Sequence, residues 1–224
     1  MASARDKTSL VILTWNEIEA VRALADRIPY SAVDETLVID GGSTDGTIEF
    51  FRQRGIPVYI QEKRGHGEAY KYGLEKAAGD VIVFFSGDGN EEPADIPRMV
   101  EKMREGYDIV IATRFSKESR SYDATPIRRF GNLFFVGIVN LRFGAHLTDV
   151  FNAFRALRRE SMRRMDLRES FFQSELEMAM KSLRLGMKVA EIPTVEMERI
   201  GGEAKLRTLR DGWANLKAYF RYFF

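Results

Sequence analysis

The sequence has no cysteine, so disulfides and thiolate-bound metals are both excluded. That absence fits a reducing compartment. Histidine is scarce: His66 lies between two glycines and His146 between Ala145 and Leu147. Neither has a second histidine at ligand spacing, which argues against a histidine-held metal. No stretch approaches the roughly 18–20 apolar residues that a membrane-spanning helix needs. The opening residues 1–7 (Met-Ala-Ser-Ala-Arg-Asp-Lys) lack the apolar centre of a signal peptide. An excess of either charge is missing too. The chain carries 34 Lys and Arg against 33 Asp and Glu, a net +1, where a dedicated nucleic-acid binder would carry a strong basic surplus. No repeat, low-complexity tract or linker interrupts the chain. No Gly-x-Gly-x-x-Gly follows the first apolar run, which disfavours a dinucleotide-dependent dehydrogenase. The expectation is a single cytoplasmic-type domain spanning residues 1–224.

What is present is ordinary in bulk and uneven in detail. Hydrophobic residues make up 45% and charged residues 30% of the 224, enough for a full core without staples. Met162, Met165, Met178, Met180 and Met187 lie at mixed spacing and read as core filler. Short apolar runs alternate with helical patterns. Strands are expected at 10–14, 36–40, 57–60, 80–85 and 107–112, and helices at 16–28, 47–54, 67–78 and 93–104. That alternation predicts βαβ units and an α/β fold around a mostly parallel sheet flanked by helices. The second half is less regular, with helices at 127–143 and 169–185, a strand at 188–193 closed by Pro193, and an amphipathic C-terminal helix at 206–224. From Glu203 onward five Lys or Arg face two acids, mixed with seven aromatic or large aliphatic residues after Asp211.

In open α/β sheets ligands bind beyond the carboxyl ends of the strands. Polar residues gather at those places: Thr14, Asn16 and Glu17 after the first strand, Asp40 at the end of the second, and residues 86–90 after the fourth. In residues 38–47 (Val-Ile-Asp-Gly-Gly-Ser-Thr-Asp-Gly-Thr), Asp40 could accept hydrogen bonds from a base or ribose, and the glycines allow a sharp turn that exposes amides. The plainer reading is a strand-to-helix turn capped by Ser43 or Thr44. In residues 84–93 (Phe-Phe-Ser-Gly-Asp-Gly-Asn-Glu-Glu-Pro), Asp88 and the Asn90 carbonyl could hold Mg²⁺ or Mn²⁺ against a diphosphate, which itself supplies most of the oxygen ligands. Here too a capping turn before a Pro-started helix is the alternative. Arginine suits phosphate through its planar fork, and Arg114, Arg128, Arg129, Arg155 and Arg199 form a basic series with Lys205. Two glycines separate Arg199 from Lys205, which describes a loop able to close on phosphates.

Together these segments resemble family-2 glycosyltransferases of the GT-A, Rossmann-like fold, in particular the dolichol-phosphate mannose synthases and polyprenyl-phosphate sugar transferases. Residues 11–17 (Val-Ile-Leu-Thr-Trp-Asn-Glu) resemble that family's opening strand and Tyr-Asn-Glu signature, with Trp15 for tyrosine. Residues 40–47 resemble its nucleoside-receiving element, and 64–69 (Arg-Gly-His-Gly-Glu-Ala) its glycine-rich helix start. Residues 149–156 (Asp-Val-Phe-Asn-Ala-Phe-Arg-Ala) resemble its acceptor-side segment. Residues 191–193 (Glu-Ile-Pro) and 199–206 (Arg-Ile-Gly-Gly-Glu-Ala-Lys-Leu) resemble its closing strand and loop. The main departure is Ser86-Gly-Asp88, where the family carries Asp-x-Asp.

The resemblance implies inverting transfer from a UDP- or GDP-sugar with a divalent cation as cofactor. The donor would be held by Leu13, Thr14, Asn16, Glu17, Asp40, Gly42 and Ser43. Gly65, Gly67, Ser86, Gly87, Asp88, Arg199 and Lys205 would complete that site. The donor half is expected over residues 1–113 and the acceptor half over 114–224. The acceptor would be a polyprenyl or dolichyl phosphate held by Arg114, Arg128 and Arg129, or a glycan or lipid hydroxyl. A hydroxyl needs a base, for which Asp149 and then Glu175 are the candidates, with Arg155 beside them. A sugar nucleotidyltransferase and a nucleotide-sugar-binding module without catalysis are the alternatives. Phe130, Phe134, Phe135 and Val139 on one helix are expected to form an apolar face. Trp213, Leu216, Tyr219, Phe220 and Phe223 would do so on the last, flanked by Arg210, Lys217 and Arg221. Such faces suit peripheral contact with the inner face of the cell membrane, packing on the core, or a homodimer.

Overall fold

The computed structural model describes residues 6–201 and 208–223, with the side chains of 208–210 left aside. In chain order the strands are β1 (Thr8–Thr14), β2 (Glu35–Asp40), β3 (Val58–Ile60), β4 (Val81–Ser86), β5 (Ile109–Thr113), β6 (Arg120–Ser121), β7 (Arg155–Arg158), β8 (Val189–Pro193) and β9 (Val195–Glu196). The helices are α1 (Ile18–Leu24), α2 (Thr47–Gln53), α3 (His66–Lys76), α4 (Asp95–Arg104), α5 (Pro126–Phe143), α6 (Arg159–Met165), α7 (Ser174–Arg184) and α8 (Thr208–Phe223). Seven strands form one sheet in the order β3-β2-β1-β4-β7-β5-β8, while β6 and β9 make a separate parallel pair. Within the large sheet β7 runs antiparallel to both neighbours and every other pairing is parallel. The chain winds from β1 outward to β3 and returns on the other side of β1 as β4. The carboxyl ends of β1 and β4 therefore flank a switch point, where a crevice opens.

Strands that are apolar on both faces are buried on both faces. Leu10 and Ile12 pack with Leu24, Phe51 and Met99 from α1, α2 and α4. Val11 and Leu13 point the other way, onto Ala69 and Tyr70 of α3, Met162 of α6 and Met178 of α7. The methionines thus fill the core as their spacing suggested. A third cluster joins α5, α7 and α8 through Phe135, Val139, Leu176, Met180, Ala218 and Tyr219.

The first-half strands fall where the sequence places them, and the mostly parallel sheet is as expected. Other features differ. β7 and α6 were not anticipated, because Arg-Ala-Leu-Arg reads as polar. Its arginines give their donors to carbonyls, the buried Arg155 to Asn152 and Glu175, and the half-buried Arg158 to Tyr107 and Met103. Helix α7 begins at Ser174 rather than 169, because the preceding residues cross the start of α3 instead. On α5, Phe135 and Val139 are buried against α7 and α8, so they leave the expected outer face. Its outer side shows Ile127, Phe130, Leu133, Phe134 and Leu141 instead. On α8 Trp213 and Phe220 are exposed while Tyr219 is buried. Among the described residues no helix is long and apolar enough to cross a membrane.

Candidate active site

Two cavities adjoin at the switch point. The larger, about 460 Å³, runs from the ends of β1 and β2 to the start of α3. The second, about 260 Å³, lies between β4, α5 and the first turns of α8. Seven residues line both: His66, Ser86, Asp88, Asn90, Asp123, Arg128 and Phe172.

The floor of the larger cavity is a knot of hydrogen bonds between the loops after β1 and β2. Asp40 is fully buried. One of its oxygens accepts from the Gly42 amide at 2.8 Å and the Ser43 amide at 2.6 Å, the other from the Thr14 hydroxyl at 2.8 Å and the Ser43 hydroxyl at 2.7 Å. Asn16, at φ 55°, donates its amide to Ser43 Oγ and accepts from the Thr44 amide. Asp40, Asn16, Gly42 and Ser43 are thus brought together beneath the cavity, while Leu13, Thr14 and Glu17 line it. So does Trp15, about a third exposed, with the Arg64 guanidinium 5.4 Å above its ring. Gly41 lies against Trp15, where a Cβ would come within 3.0 Å of the indole.

Gly65 and Gly67 have a different reason for being glycine. A Cβ at Gly65 would sit 2.0 Å from the Ser170 carbonyl oxygen, and one at Gly67 2.2 Å from that of Glu169. The Gly67 amide donates to Ser170 at 3.0 Å. This clamp fixes His66 between them, its ring stacked 4.9 Å from Tyr70 and edge-on to Phe172 at 5.2 Å. Gly87 is equally constrained, its missing Cβ replaced by the Thr14 methyl.

Asp88 sits at the end of β4, and its two oxygens meet the Asn90 amide at 3.1 Å and Arg199 at 3.0 Å. Arg199 also pairs with Glu17, so one guanidinium ties the β1 end to the β4 end. The segment after β9 is laid across the turn: Met197 and Asn90 exchange backbone and side-chain bonds at 2.8 Å, and Ile200 covers Gly89. Among the described residues no three His, Asp or Glu side chains stand close enough to hold a metal. Asp88 with the Asn90 amide oxygen fits a cation that arrives on a diphosphate, not one held by the protein alone. Lys205 lies outside the described residues.

In the second cavity Arg114 forks onto Asp149 at 2.7 and 3.0 Å and reaches Glu196 at 2.9 Å. Burial alone would lower its pKa, but Asp149 and then Glu196 outweigh that and hold it above its usual value. Asp149 is fully buried behind that guanidinium and does not line the cavity. Arg128 pairs with Asp123 at 3.1 Å on the shared wall. Arg129 is exposed beside Phe115, and Arg155 is wholly inside the core. Glu175 does line the cavity. It accepts from Tyr70 at 3.0 Å, and burial first and Glu175 second push that phenol well up, so it stays a donor. Glu91 accepts from the Ser86 amide at 2.7 Å. Trp15, Gly41, Arg64, His66, Glu91 and Phe172 are wall residues that sequence reasoning did not select. An aromatic at a strand's carboxyl end and a histidine between two glycines were the available signals.

The profile of glycosyl transferase family 2 matches residues 9–166. The chain belongs to this family. It is therefore classed as a glycosyltransferase and not as a sugar nucleotidyltransferase. It is 33% identical to glycosyltransferase AglJ of Haloferax volcanii, covering 92% of this chain and 69% of the relative. It is 30% identical to the undecaprenyl-phosphate mannosyltransferase of Micrococcus luteus, covering 88% and 86%. Among solved structures it is similar to glucosyl-3-phosphoglycerate synthase from Mycobacterium tuberculosis in complex with Mn²⁺, UDP and glucosyl-3-phosphoglycerate. The TM-score is 0.75 at 21% identity, over 98% of this chain and 80% of that one. That likeness speaks for the GT-A fold.

Proposed function

We propose that this glycosyltransferase moves a hexosyl unit, with inversion, from a UDP- or GDP-sugar to a polyprenyl phosphate at a membrane surface. The observation that carries the reading is the pair of adjoining cavities. One is walled by Trp15 and the β1 and β4 ends, the other by α5, whose far side is apolar and exposed. Relatives named for undecaprenyl- and dolichyl-phosphate acceptors support the acceptor. The nucleotide lies in the larger cavity with its base on Trp15, and Asp40 acts by shaping the loop. The diphosphate points to Asp88 and Arg199.

The acceptor phosphate enters the second cavity. Arg114, kept oriented by Asp149, and Arg128 exchange Glu196 and Asp123 for phosphate oxygens. A phosphate oxygen is already nucleophilic and attacks the anomeric carbon. The bond to the diphosphate breaks, and the electron pair leaves with the nucleoside diphosphate. Stabilising that charge is the main task, and a divalent cation carried in on the donor supplies part of it when bound. Asp88 and Asn90 would hold that cation. Arg155 works from within the core by tying Asn152 to α7. A glycan hydroxyl is the second reading, favoured by Glu175 on the acceptor wall as a base.

The test offers purified enzyme a panel of UDP- and GDP-sugars with a polyprenyl phosphate or the corresponding free alcohol. Transfer to the phosphate alone, reduced about a hundredfold or more by Arg114→Ala, is the expected result. Transfer to the alcohol or to a glycan instead would overturn it.

A further inference from the structure

The wall common to both cavities is where the transferred sugar must lie, because its anomeric carbon leaves a group in one cavity for a group in the other. Most polar side chains on that wall already have partners within the protein. Asp88 is held by Arg199 and the Asn90 amide, and Asp123 by Arg128. His66 differs. Its Nε2 is buried and takes no hydrogen bond, a condition that calls for an explanation in a folded protein. The nitrogen stands 3.6 Å from Glu175 Oε1, beyond hydrogen-bond distance, and that carboxylate is itself almost fully buried.

Neither group is free to turn away. The backbone of His66 is clamped by the approach of Glu169 and Ser170 to the flanking glycines, and its ring lies between Tyr70 and Phe172. Glu175 Oε1 is fixed by the Tyr70 hydroxyl at 3.0 Å and Oε2 by the Ser174 hydroxyl at 3.2 Å. The segment that clamps His66 runs directly into α7, which carries Glu175, so the two are held as one unit.

We propose that His66 and Glu175 form the subsite that reads the hydroxyls of the transferred hexose. This rests on the donor reading above and deepens it. A sugar hydroxyl both donates and accepts, so it complements an imidazole nitrogen in either tautomer and a carboxylate oxygen beside it. A fixed, desolvated pair of this kind favours a sugar that presents hydroxyls to it and rejects one lacking them, since the pair would then stay unmet. The nucleotide and the diphosphate are bound elsewhere, by the β1 and β4 ends. The subsite therefore adds affinity only for the sugar portion of the donor.

Calorimetric titration of a nucleoside diphosphate and of the matching nucleotide-sugar separates these contributions. The proteins compared are wild type, His66→Gln, His66→Ala and Glu175→Gln, each checked by its unliganded thermal midpoint. The variants are expected to bind the diphosphate within about twofold of wild type and the nucleotide-sugar at least about tenfold more weakly, one hydrogen bond's worth of discrimination. The glutamine variants carry the test if His66→Ala does not fold. Unchanged nucleotide-sugar affinity in His66→Gln and Glu175→Gln overturns the proposal, as does a parallel loss for the diphosphate. Wild type that binds neither ligand overturns the donor reading itself, and the subsite with it.

Discussion

Glu91 is the acid whose surroundings oppose its charge most clearly. Burial first, and the neighbouring Asp88 second, push its carboxyl well above the usual glutamate range, and the bond from the Ser86 amide only partly offsets them. A raised acid pKa favours the folded state below the unfolded value, near 4.5, and that contribution is lost as pH rises through the folded value. Glu91→Gln keeps an acceptor for Ser86 and removes the ionisation. Its thermal midpoint, followed from pH 4 to pH 9, should hold a constant offset from wild type at the acid end and gain on wild type as the pH rises. A constant offset throughout would sink the argument. Single residues also show where sequence reading stops. The cluster of Thr14, Asn16, Asp40 and Ser43 was legible as polar groups at strand ends. That Asp40 would spend both oxygens on protein donors was not, because it depends on two loops meeting across 26 residues of chain. His66 was legible only as a histidine without a ligand partner, since Glu175 lies 109 positions further on.

At the scale of elements, apolar runs long enough to fill a central strand gave β1, β2, β4 and β5. The periodicity that marks a helix gave α4 and α5 within two residues. β7 stayed hidden because its burial depends on carbonyls that only the fold supplies to its arginines, and β6 and β9 are two residues each. The outer face of α5 was legible in part. Aromatic content marked the helix, but which side α7 and α8 would cover was a matter of packing. Ile127, Phe130, Phe134 and Leu141 lie three, seven and fourteen residues apart, one stripe of the helix. Phe130 is 70% and Leu141 86% exposed. Glutamate at both positions should change folding stability by no more than about 0.5 kcal/mol. Binding to vesicles of anionic phospholipid should fall at least about tenfold, from lost apolar burial alone. Sedimentation with vesicles reads the binding and light scattering reads the oligomeric state. Undiminished vesicle binding, with a wild-type dimer falling to monomer, would identify the stripe as a subunit interface and end the membrane reading.

For the whole molecule, the stretches 1–113 and 114–224, expected from the sequence as donor and acceptor halves, are interleaved in one sheet. β5 ends the first half, yet among the described residues its sheet partners are β7 and β8 from the second. β4 likewise has β7 on one side, and Tyr70 and Phe84 share a core cluster with Met178 of α7. The site has the same logic, with Asp88 and Glu17 from the early chain bridged by Arg199 from the late chain. A boundary near residue 113 therefore does not separate two folding units. Two natural probes test this, since the sequence has only two tryptophans, Trp15 in one half and Trp213 in the other. Trp15→Phe leaves fluorescence to report the acceptor half, and Trp213→Phe leaves it to report the donor half. Urea unfolding of the two variants should give coincident transitions once each is normalised to its own stability by circular dichroism. A fragment of residues 1–113 should lack near-ultraviolet dichroism, because β5 is left with no partner and the Tyr70 side of the sheet with no cover. Two separated transitions, or a folded fragment, would mean that the donor half stands alone and that the acceptor half was added to a complete domain.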